Sequence, residues 1–305
     1  MQGLIVKSTG SAFGVRLDDG RTVEAYVKGN FRIRGIRSTN PVAVGDHVSV
    51  EQLTDGTNWI TDISDRRNYI IRRATNLSKQ SHILAANVDQ VALIVTVNHP
   101  KTSTTFIDRF LATCEAYRVP AALIFNKIDL YDEADKEELD YLQLLYKSLD
   151  YPVYAISARS LGHELDDLWA GKTTLLSGNS GVGKSTLLNA LFGREMTRTG
   201  NISDAHDRGM HTTTFSEMYF LAPDTAVIDT PGIKGFGTFD MQREEVGHYF
   251  KEIFRVSANC RFGNCTHTTE PGCAVLTAVE NAQIAPSRYE SYLSLLGDCE
   301  EGKYR

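Results

Sequence analysis

The sequence predicts a multi-domain fold: an all-β barrel of the oligonucleotide-binding (OB) type, then an α/β domain, then a small helical domain. Short alternating apolar and polar runs predict the barrel, and buried strands alternating with helical segments predict the α/β domain. Helical patterns on either side of a cysteine cluster predict the third part. We place these domains at residues 1–72, 73–240 and 241–305.

The composition is that of an ordinary globular protein, with 42% hydrophobic and 23% charged residues among 305. No segment approaches the roughly 20 uninterrupted apolar residues of a membrane helix, and the first residues lack the layout of a secretion signal. We therefore expect a cytoplasmic protein. The net charge of −6 argues against a protein that coats nucleic acid over its whole surface.

The barrel is predicted from short alternating runs separated by turns. Asp19-Gly20, between two of these runs, is a strong hairpin signal. The runs are Leu4–Lys7, Ala12–Leu17, Thr22–Val27 and His47–Glu51. Residues 21–37 hold five basic side chains against one acid, a local charge of +4. This segment is either a solvated strand face or an RNA-binding face that includes Lys28, Arg32, Arg34 and Arg37.

The α/β domain is predicted from buried, β-branched runs that alternate with amphipathic segments. The predicted strands are Val91–Val97, Ala121–Phe125, Val153–Ile156, Thr173–Leu176 and Ala226–Ile228. The predicted helices are Phe106–Tyr117, Ala134–Leu149 and Thr186–Phe192, and further helical patterns lie at Glu244–Phe254 and Ser287–Leu296.

Residues 178–185 match the phosphate-binding pattern G-x-x-x-x-G-K-[ST] between a predicted strand and a predicted helix. The glycines let backbone N–H groups surround phosphates, Lys184 reaches the outer phosphates, and Ser185 ligates magnesium. A bound nucleoside triphosphate is therefore expected. The predicted contacts are Gly178, Asn179, Ser180, Gly181, Val182, Gly183, Lys184, Ser185 and Thr186.

A second motif predicts which base is bound. Asn126, Lys127 and Asp129 follow directly after a predicted strand, where ligand loops of open α/β sheets lie. The aspartate can accept hydrogen bonds from the N1–H and 2-amino groups of guanine, whereas adenine would leave its carboxylate unpaired. Ser157 and Ala158, after the next strand, suit the loop that backs the base.

Asp229-Thr230-Pro231-Gly232 ends another predicted strand, where Asp229 can hold the magnesium shell and the amide of Gly232 can meet the γ-phosphate. A switch loop must supply a threonine to the metal between the two phosphate motifs. We favour Thr213, although its neighbours in residues 209–214 remain alternatives, and the run is also compatible with a plain β-prone segment.

These are the motifs of a Ras-like GTPase, but the base motif precedes the phosphate motif, so their order is circularly permuted. Together with the N-terminal barrel and the C-terminal cysteine cluster, the chain closely resembles the bacterial small ribosomal subunit biogenesis GTPase family (RsgA). The resemblance covers nearly the whole chain and is carried by Val44–Val48, Asn126–Asp129, Gly178–Ser185, His211–Thr214, Asp229–Gly232 and the cysteine pattern. It implies GTP hydrolysis coupled to late maturation of the small (30S) subunit through its 16S rRNA, and we expect a monomer.

The residue after Gly232 is Ile233, whose side chain cannot orient water as the glutamine usual at this position does. Intrinsic hydrolysis should therefore be slow. His211 is a candidate for orienting water together with Lys184 and Thr213 in catalysis, or it is a solvent-facing switch residue.

The cysteine cluster has the pattern C-x4-C-x-H-x5-C, formed by Cys260, Cys265, His267 and Cys273. Three thiolates and one imidazole make a closed tetrahedral zinc shell with no open catalytic position, which indicates one structural zinc. The alternative is a set of buried thiols beside an unrelated histidine.

Two rival functions differ from this prediction. One is an RNA-binding scaffold that uses GTP only as a structural ligand, which Ile233 favours and the magnesium ligands disfavour. The other is a GTPase of transfer-RNA modification, whose motifs would usually be unpermuted.

Overall fold

The computed structural model describes residues 1–27, 42–73, 81–195, 216–230 and 241–300. The first five strands form a closed barrel in the order β1-β2-β3-β5-β4, with β4 pairing back onto β1. Neighbouring strands are antiparallel except β3 and β5, which are parallel. The OB-type barrel is therefore confirmed. Its strands are β1 (Gln2–Ser8), β2 (Phe13–Leu17), β3 (Thr22–Val27), β4 (His47–Gln52) and β5 (Asn58–Ile63).

The barrel core is filled by the inward positions of alternating strands, as the sequence pattern predicts. Ile5, Phe13, Val48 and Ile60 are each at most 2% exposed. Gly20 has a positive φ of 87° in the turn between β2 and β3, a conformation that glycine adopts without strain. Because this turn joins the two predicted runs, the hairpin is also confirmed.

A two-stranded antiparallel ribbon, β6 (Tyr69–Arg73) and β7 (Ser81–Ala86), follows the barrel. Gly45 packs so closely on it that an added Cβ would lie 2.0 Å from the carbonyl oxygen of Ala86. Asp46 is fully buried and accepts hydrogen bonds from Nε and Nη2 of Arg66 at 2.7 and 2.6 Å. Gly45 and Asp46 therefore attach the barrel to the segment that follows it, which contains Arg66 and the ribbon.

The α/β domain contains a sheet in the order β10-β9-β8-β11-β13-β12, which is parallel except for β12. Its strands are β8 (Gln90–Val95), β9 (Ala121–Phe125), β10 (Val153–Ala155), β11 (Thr173–Gly178), β12 (Ser216–Ala222) and β13 (Thr225–Asp229). Its helices are α1 (Thr104–Ala116), α2 (Glu133–Ser148), α3 (Asp166–Trp169) and α4 (Lys184–Phe192). Each predicted strand and helix of this domain is present with small shifts of its ends.

The described C-terminal residues, 241–300, are helical. They contain a 3-10 helix at Arg243–Tyr249 and the helices α5 (Lys251–Ser257), α6 (Ala274–Glu280) and α7 (Pro286–Glu300). The predicted helix Glu244–Phe254 is divided, because Phe250 has extended φ and ψ angles of −108° and 103°. Phe250 is buried in a core with Val246, Ile253 and Tyr292, and this burial outweighs helical continuity.

This C-terminal domain is attached to α1 by a buried charge cluster. Arg288 of α7 is 1% exposed and donates hydrogen bonds to Asp108 of α1 and Glu252 of α5. Tyr146 of α2 donates a further hydrogen bond to the same Asp108 oxygen, at 2.9 Å. The cluster therefore links two helices of the α/β domain to the C-terminal domain.

A search of the described residues for a helix long and apolar enough to cross a membrane finds none.

Candidate nucleotide site and metal centre

The phosphate loop lies between β11, which ends at Gly178, and α4, which begins at Lys184. A Cβ on Gly178 would lie 2.7 Å from the backbone oxygen of Ile94, so only glycine fits this close approach. Gly181 and Gly183 have positive φ angles of 85° and 97°. These conformations turn the loop around the N-terminus of α4, where backbone N–H groups and the helix dipole favour phosphate.

Asn126 ties three loops of the site together. Its Nδ2 donates to the carbonyl oxygen of Val182 at 2.8 Å, and its Oδ1 accepts from the backbone N–H of Ala158 at 2.9 Å. Tyr131 supports the same residue, because its hydroxyl donates to the Asn126 carbonyl oxygen at 2.7 Å. The predicted base-binding and phosphate-binding segments therefore adjoin, although 56 residues separate Asn126 from Val182.

Lys127 lies along the phosphate loop. Its Nζ donates to the carbonyl oxygens of Gly181 and His99, at 2.6 Å in each case. Burial lowers the pKa of this lysine, and the nearby charge of Arg159 lowers it further. Asp129, two residues later, is exposed in the 3-10 helix Ile128–Leu130, where its carboxylate is free to meet a base.

Lys184 and Asp229 face each other at the carboxyl ends of β11 and β13. Asp229 Oδ1 lies 2.8 Å from Lys184 Nζ, which also donates to the carbonyl oxygen of Thr230. Burial raises the pKa of Asp229, and the ion pair with Lys184 opposes that rise. Ser185 and Thr186 occupy the first turn of α4 beside this pair.

Buried oxygen atoms at this point suit a magnesium ion with a phosphate. The buried carboxylate of Asp229 has Lys184 as its cationic partner but no well-aligned hydrogen bond to fill its remaining acceptor positions, and the hydroxyl of Thr230 has no partner in the described part of the chain. The hydroxyl of Ser157, beside Ala158, is similarly buried without a partner in those ranges. Such groups are normally satisfied, so the donor set fits a hard cation and a polar ligand.

Several predicted site residues lie outside the described residues. They are His211, Thr213, Gly232 and Ile233 of the predicted switch and γ-phosphate segments, and Lys28, Arg32, Arg34 and Arg37 of the predicted RNA-binding face.

The C-terminal domain brings together the four predicted metal ligands, Cys260, Cys265, His267 and Cys273, with ligand atoms within 4.8 Å of one another. The His267 Nδ1 atom lies 3.6 and 3.5 Å from the sulfur atoms of Cys260 and Cys273, which are 3.9 Å apart. Tetrahedral bonds of about 2.3 Å to sulfur and 2.0 Å to nitrogen would separate such atoms by about 3.5 to 3.8 Å. The cluster could therefore hold a metal ion of this size.

The protonation chemistry of the cluster also fits a metal. Burial raises the pKa of Cys265 to about 12, and burial likewise raises that of Cys273. A cation is needed to stabilise these thiols as thiolates. Burial lowers the pKa of His267, which keeps its imidazole neutral and able to coordinate.

Glu270 orders the loop between the last two ligands. It accepts hydrogen bonds from the backbone N–H groups of Thr266, Thr268 and Thr269 at 2.7, 2.9 and 3.1 Å. Burial raises the pKa of this carboxyl, but the hydrogen bonds from Thr266 and Thr268 outweigh it and hold the pKa at about 2. Tyr289 adds a hydrogen bond to the His267 carbonyl oxygen at 2.7 Å, so the ligand loop is held from two sides.

Sequence reasoning missed the residues that support the site. Tyr131 and His99 make hydrogen bonds between distant segments, Glu270 makes several within its own loop, and no sequence pattern predicts them. The strand β12 was also missed, although its alternating Met218 and Phe220 are a weak strand signal.

Two family models match the chain, the RsgA N-terminal domain over residues 2–60 and the RsgA GTPase over residues 63–239. The small ribosomal subunit biogenesis GTPases RsgA of Phocaeicola vulgatus and Bacteroides fragilis are 62% and 61% identical, each over 100% of this chain and 99% of the relative. The crystal structure of YjeQ from Thermotoga maritima is similar with a TM-score of 0.75 at 33% identity, and covers 98% of both chains. YloQ, described as a circularly permuted GTPase, has a TM-score of 0.70 at 26% identity, over 100% of this chain and 96% of that one.

The fold and the motif order define a circularly permuted P-loop GTPase. β9 and its Asn126-Lys127 motif precede the phosphate strand β11 in the chain, although both strands pair with β8 in one parallel sheet. The chain belongs to the RsgA GTPase family, as the family models and the full-length relatives show.

Proposed function

We propose that this protein hydrolyses GTP as a step in late maturation of the small ribosomal subunit, which it contacts through 16S rRNA. The observation that carries the proposal is the convergence of Asn126, Lys184 and Asp229 on one edge of the sheet in a chain of this family. The names of the full-length relatives supply the ribosomal context.

The proposed residue roles follow from this arrangement. Asp129 reads guanine, Ser157 and Ala158 back the base, and residues 178–186 surround the phosphates. Magnesium, held by Ser185, Thr213 and Asp229, would neutralise phosphate charge when bound. A water oxygen bonds to the γ-phosphorus, the bond to the bridging oxygen breaks, and GDP leaves with inorganic phosphate.

We assign the water-orienting role to His211, because Ile233 has no polar side-chain atom. Intrinsic turnover is then slow, and the small subunit accelerates it by settling the segment around His211. The basic side chains Arg32 and Arg34 contact RNA phosphates in this proposal.

The remaining proposals concern the domains and the metal. One zinc ion binds Cys260, Cys265, His267 and Cys273 and stabilises the C-terminal domain, because soft thiolates with imidazole select zinc. The domain boundaries stay at residues 72/73 and 240/241, and the protein acts as a monomer in the cytoplasm.

The experiment measures GTP turnover and co-sedimentation with purified small subunits over a salt series. Neutralising Arg32 and Arg34 should weaken binding and flatten its salt dependence, with basal hydrolysis unchanged. His211→Ala should preserve binding and remove most of the stimulated rate. If subunits fail to accelerate the wild-type protein, the proposed coupling is wrong and the GTP-binding scaffold is favoured. Normal stimulation of His211→Ala would remove only the role of that histidine.

A further inference from the structure

The strand β1 belongs both to the barrel and to the sheet of the α/β domain. Its first three paired residues, 2–4, pair with β4 and close the barrel. Its last two residues instead pair with β12, with Lys7 opposite Glu217 and Ser8 opposite Ser216. One continuous strand therefore sets the position of the barrel relative to β12.

Side chains strengthen this junction on both strands of the barrel that approach β12. Lys7 Nζ lies 3.2 and 3.1 Å from the two carboxylate oxygens of Glu217. The guanidinium carbon of Arg16, in β2, lies 4.3 Å from the centroid of the Phe220 ring. Tyr219 donates a hydrogen bond to Glu217 at 3.2 Å, which orients the carboxylate toward Lys7.

The other side of β12 contacts the nucleotide site. Glu217 lies opposite Asp229 in the antiparallel pairing of β12 with β13. The Tyr219 ring packs edge-on against Phe192, the last residue of α4, with centroids 5.8 Å apart. β12 therefore touches the strand that carries the proposed magnesium ligand and the helix that begins at Lys184.

We propose that Lys7 and Glu217 are positioning residues for GTP hydrolysis, which couple the barrel to Asp229 through β12. A partner that binds the barrel fixes the position of β1, and β1 fixes the position of the beginning of β12. Because β12 pairs with the strand that carries Asp229, β12 then fixes the position of Asp229. The inference rests on the proposed function only in taking the ribosomal subunit as that partner.

The ion pair can be altered without loss of the fold. Lys7 and Glu217 side chains are 45% and 34% exposed, and exposed ion pairs of this kind contribute little to stability. A change in hydrolysis on breaking the pair therefore reports positioning of the site.

The test exchanges the two charges in the full-length, zinc-loaded protein. Lys7→Glu and Glu217→Lys should each raise the magnesium concentration for half-maximal basal hydrolysis about two- to five-fold, the range expected of an exposed pair. Each should also lower kcat at saturating small subunits by a similar factor, with KM for GTP unchanged. The double exchange should restore both quantities.

The two single changes move the net charge in opposite directions, which separates positioning from electrostatic binding of RNA or magnesium. If only the net charge mattered, the measured quantities would change in opposite directions in the two single variants. Recovery in the double variant would then give no evidence that the two side chains act as a pair. The matched control exchanges Glu133 with Lys136 on α2, an exposed pair at 2.7 Å, and should alter neither quantity.

Single variants with wild-type magnesium dependence, variants that move oppositely, or a double variant that stays impaired would each overturn the inference. The magnesium measurement needs no subunit, so the inference is tested even if subunits do not stimulate the wild-type protein. Failure of the subunits to stimulate the wild-type protein would contradict the proposed function alone.

Discussion

Arg288 is the centre of the attachment between the C-terminal domain and α1, and its replacement tests that attachment directly. Its Nη1 donates to Asp108 at 2.7 Å, and its Nε and Nη2 donate to the two oxygens of Glu252 at 2.7 and 3.1 Å. Asp108 and Glu252 are 0% and 8% exposed. Arg288→Met keeps most of the side-chain volume but leaves both carboxylates buried without their cation.

Removal of one partner from a buried ion pair destabilises a protein by about 3–5 kcal/mol, because the remaining charge is desolvated and unpaired. Burial raises the pKa of Asp108 even while the Arg288 charge lowers it. A raised pKa in the folded state means that stability is lost as pH rises through that pKa. Loss of the Arg288 charge raises the pKa of Asp108 further, so on acidification Asp108 takes up a proton in the variant before it does in the wild type, and the deficit of Arg288→Met should shrink.

The assay is urea unfolding of the zinc-loaded protein, followed by the fluorescence of Trp59 in the barrel and Trp169 in the α/β domain and by far-ultraviolet circular dichroism, which includes the helices of the C-terminal domain. Arg288→Met combined with Asp108→Asn and Glu252→Gln should recover part of the loss, since no buried charge then remains, while the two buried amides still lack the partner that Arg288 provided. Arg255→Met serves as the control, because Arg255 pairs with Asp150 at the surface, where both side chains are at least 54% exposed. A loss below about 1 kcal/mol for Arg288→Met, or no recovery in the combined variant, would refute the reasoning.

Three further predictions concern the sites. Asp129→Asn should lower GTP affinity sharply and permit xanthosine triphosphate, whose 2-oxo group accepts from the new amide; equal binding of ATP and GTP by wild type in competition would contradict the assignment. Gly183→Ala should abolish nucleotide binding, because its Cβ would lie 2.3 Å from Asn126 Nδ2 at a φ of 97°. Gly297→Ala in α7, where the added Cβ meets nothing within 4 Å and φ is not positive, should bind normally in a fluorescent-nucleotide titration. Elemental analysis should find about one zinc per chain. A strong chelator should remove this zinc together with the helicity of residues 241–300. Purified protein that contains no zinc would contradict this prediction.

The predictions that the structure and the family comparisons confirm were based on local sequence patterns. The strand–loop–helix unit around residues 178–185 and the strands β8 and β9 depend on neighbouring residues, so their pattern is complete within a few positions. The hairpin at Asp19-Gly20 is local in the same sense. The permuted order needed no structure, because it is the order of motifs along the chain.

The features that sequence reasoning missed depend on distant residues. The Lys7–Glu217 pair joins positions 210 residues apart, and the Arg288–Asp108 pair joins positions 180 apart. An arginine in a polar helical segment is usually exposed, so the pattern of α7 gave no sign that Arg288 is buried. The split of the predicted helix at Phe250 also follows from tertiary burial, which outweighs local propensity.

The two junctions of the α/β domain are built from different kinds of contact. At the C-terminal junction a buried arginine satisfies two buried carboxylates, so separation of the domains would desolvate unpaired charges and is strongly opposed. At the barrel junction, β1 and β12 share two residue pairs and an exposed ion pair, and Arg16 of β2 makes one cation–π contact with Phe220 of β12. Contacts of that kind contribute about 0.2–1 kcal/mol each and adjust within the energy that binding of a partner supplies. The buried Asp46–Arg66 ion pair and a continuous apolar core also hold the barrel, so the low cost of adjustment applies only to the β1–β12 contacts. Because β12 adjoins Asp229, an adjustment of those contacts would reach the nucleotide site.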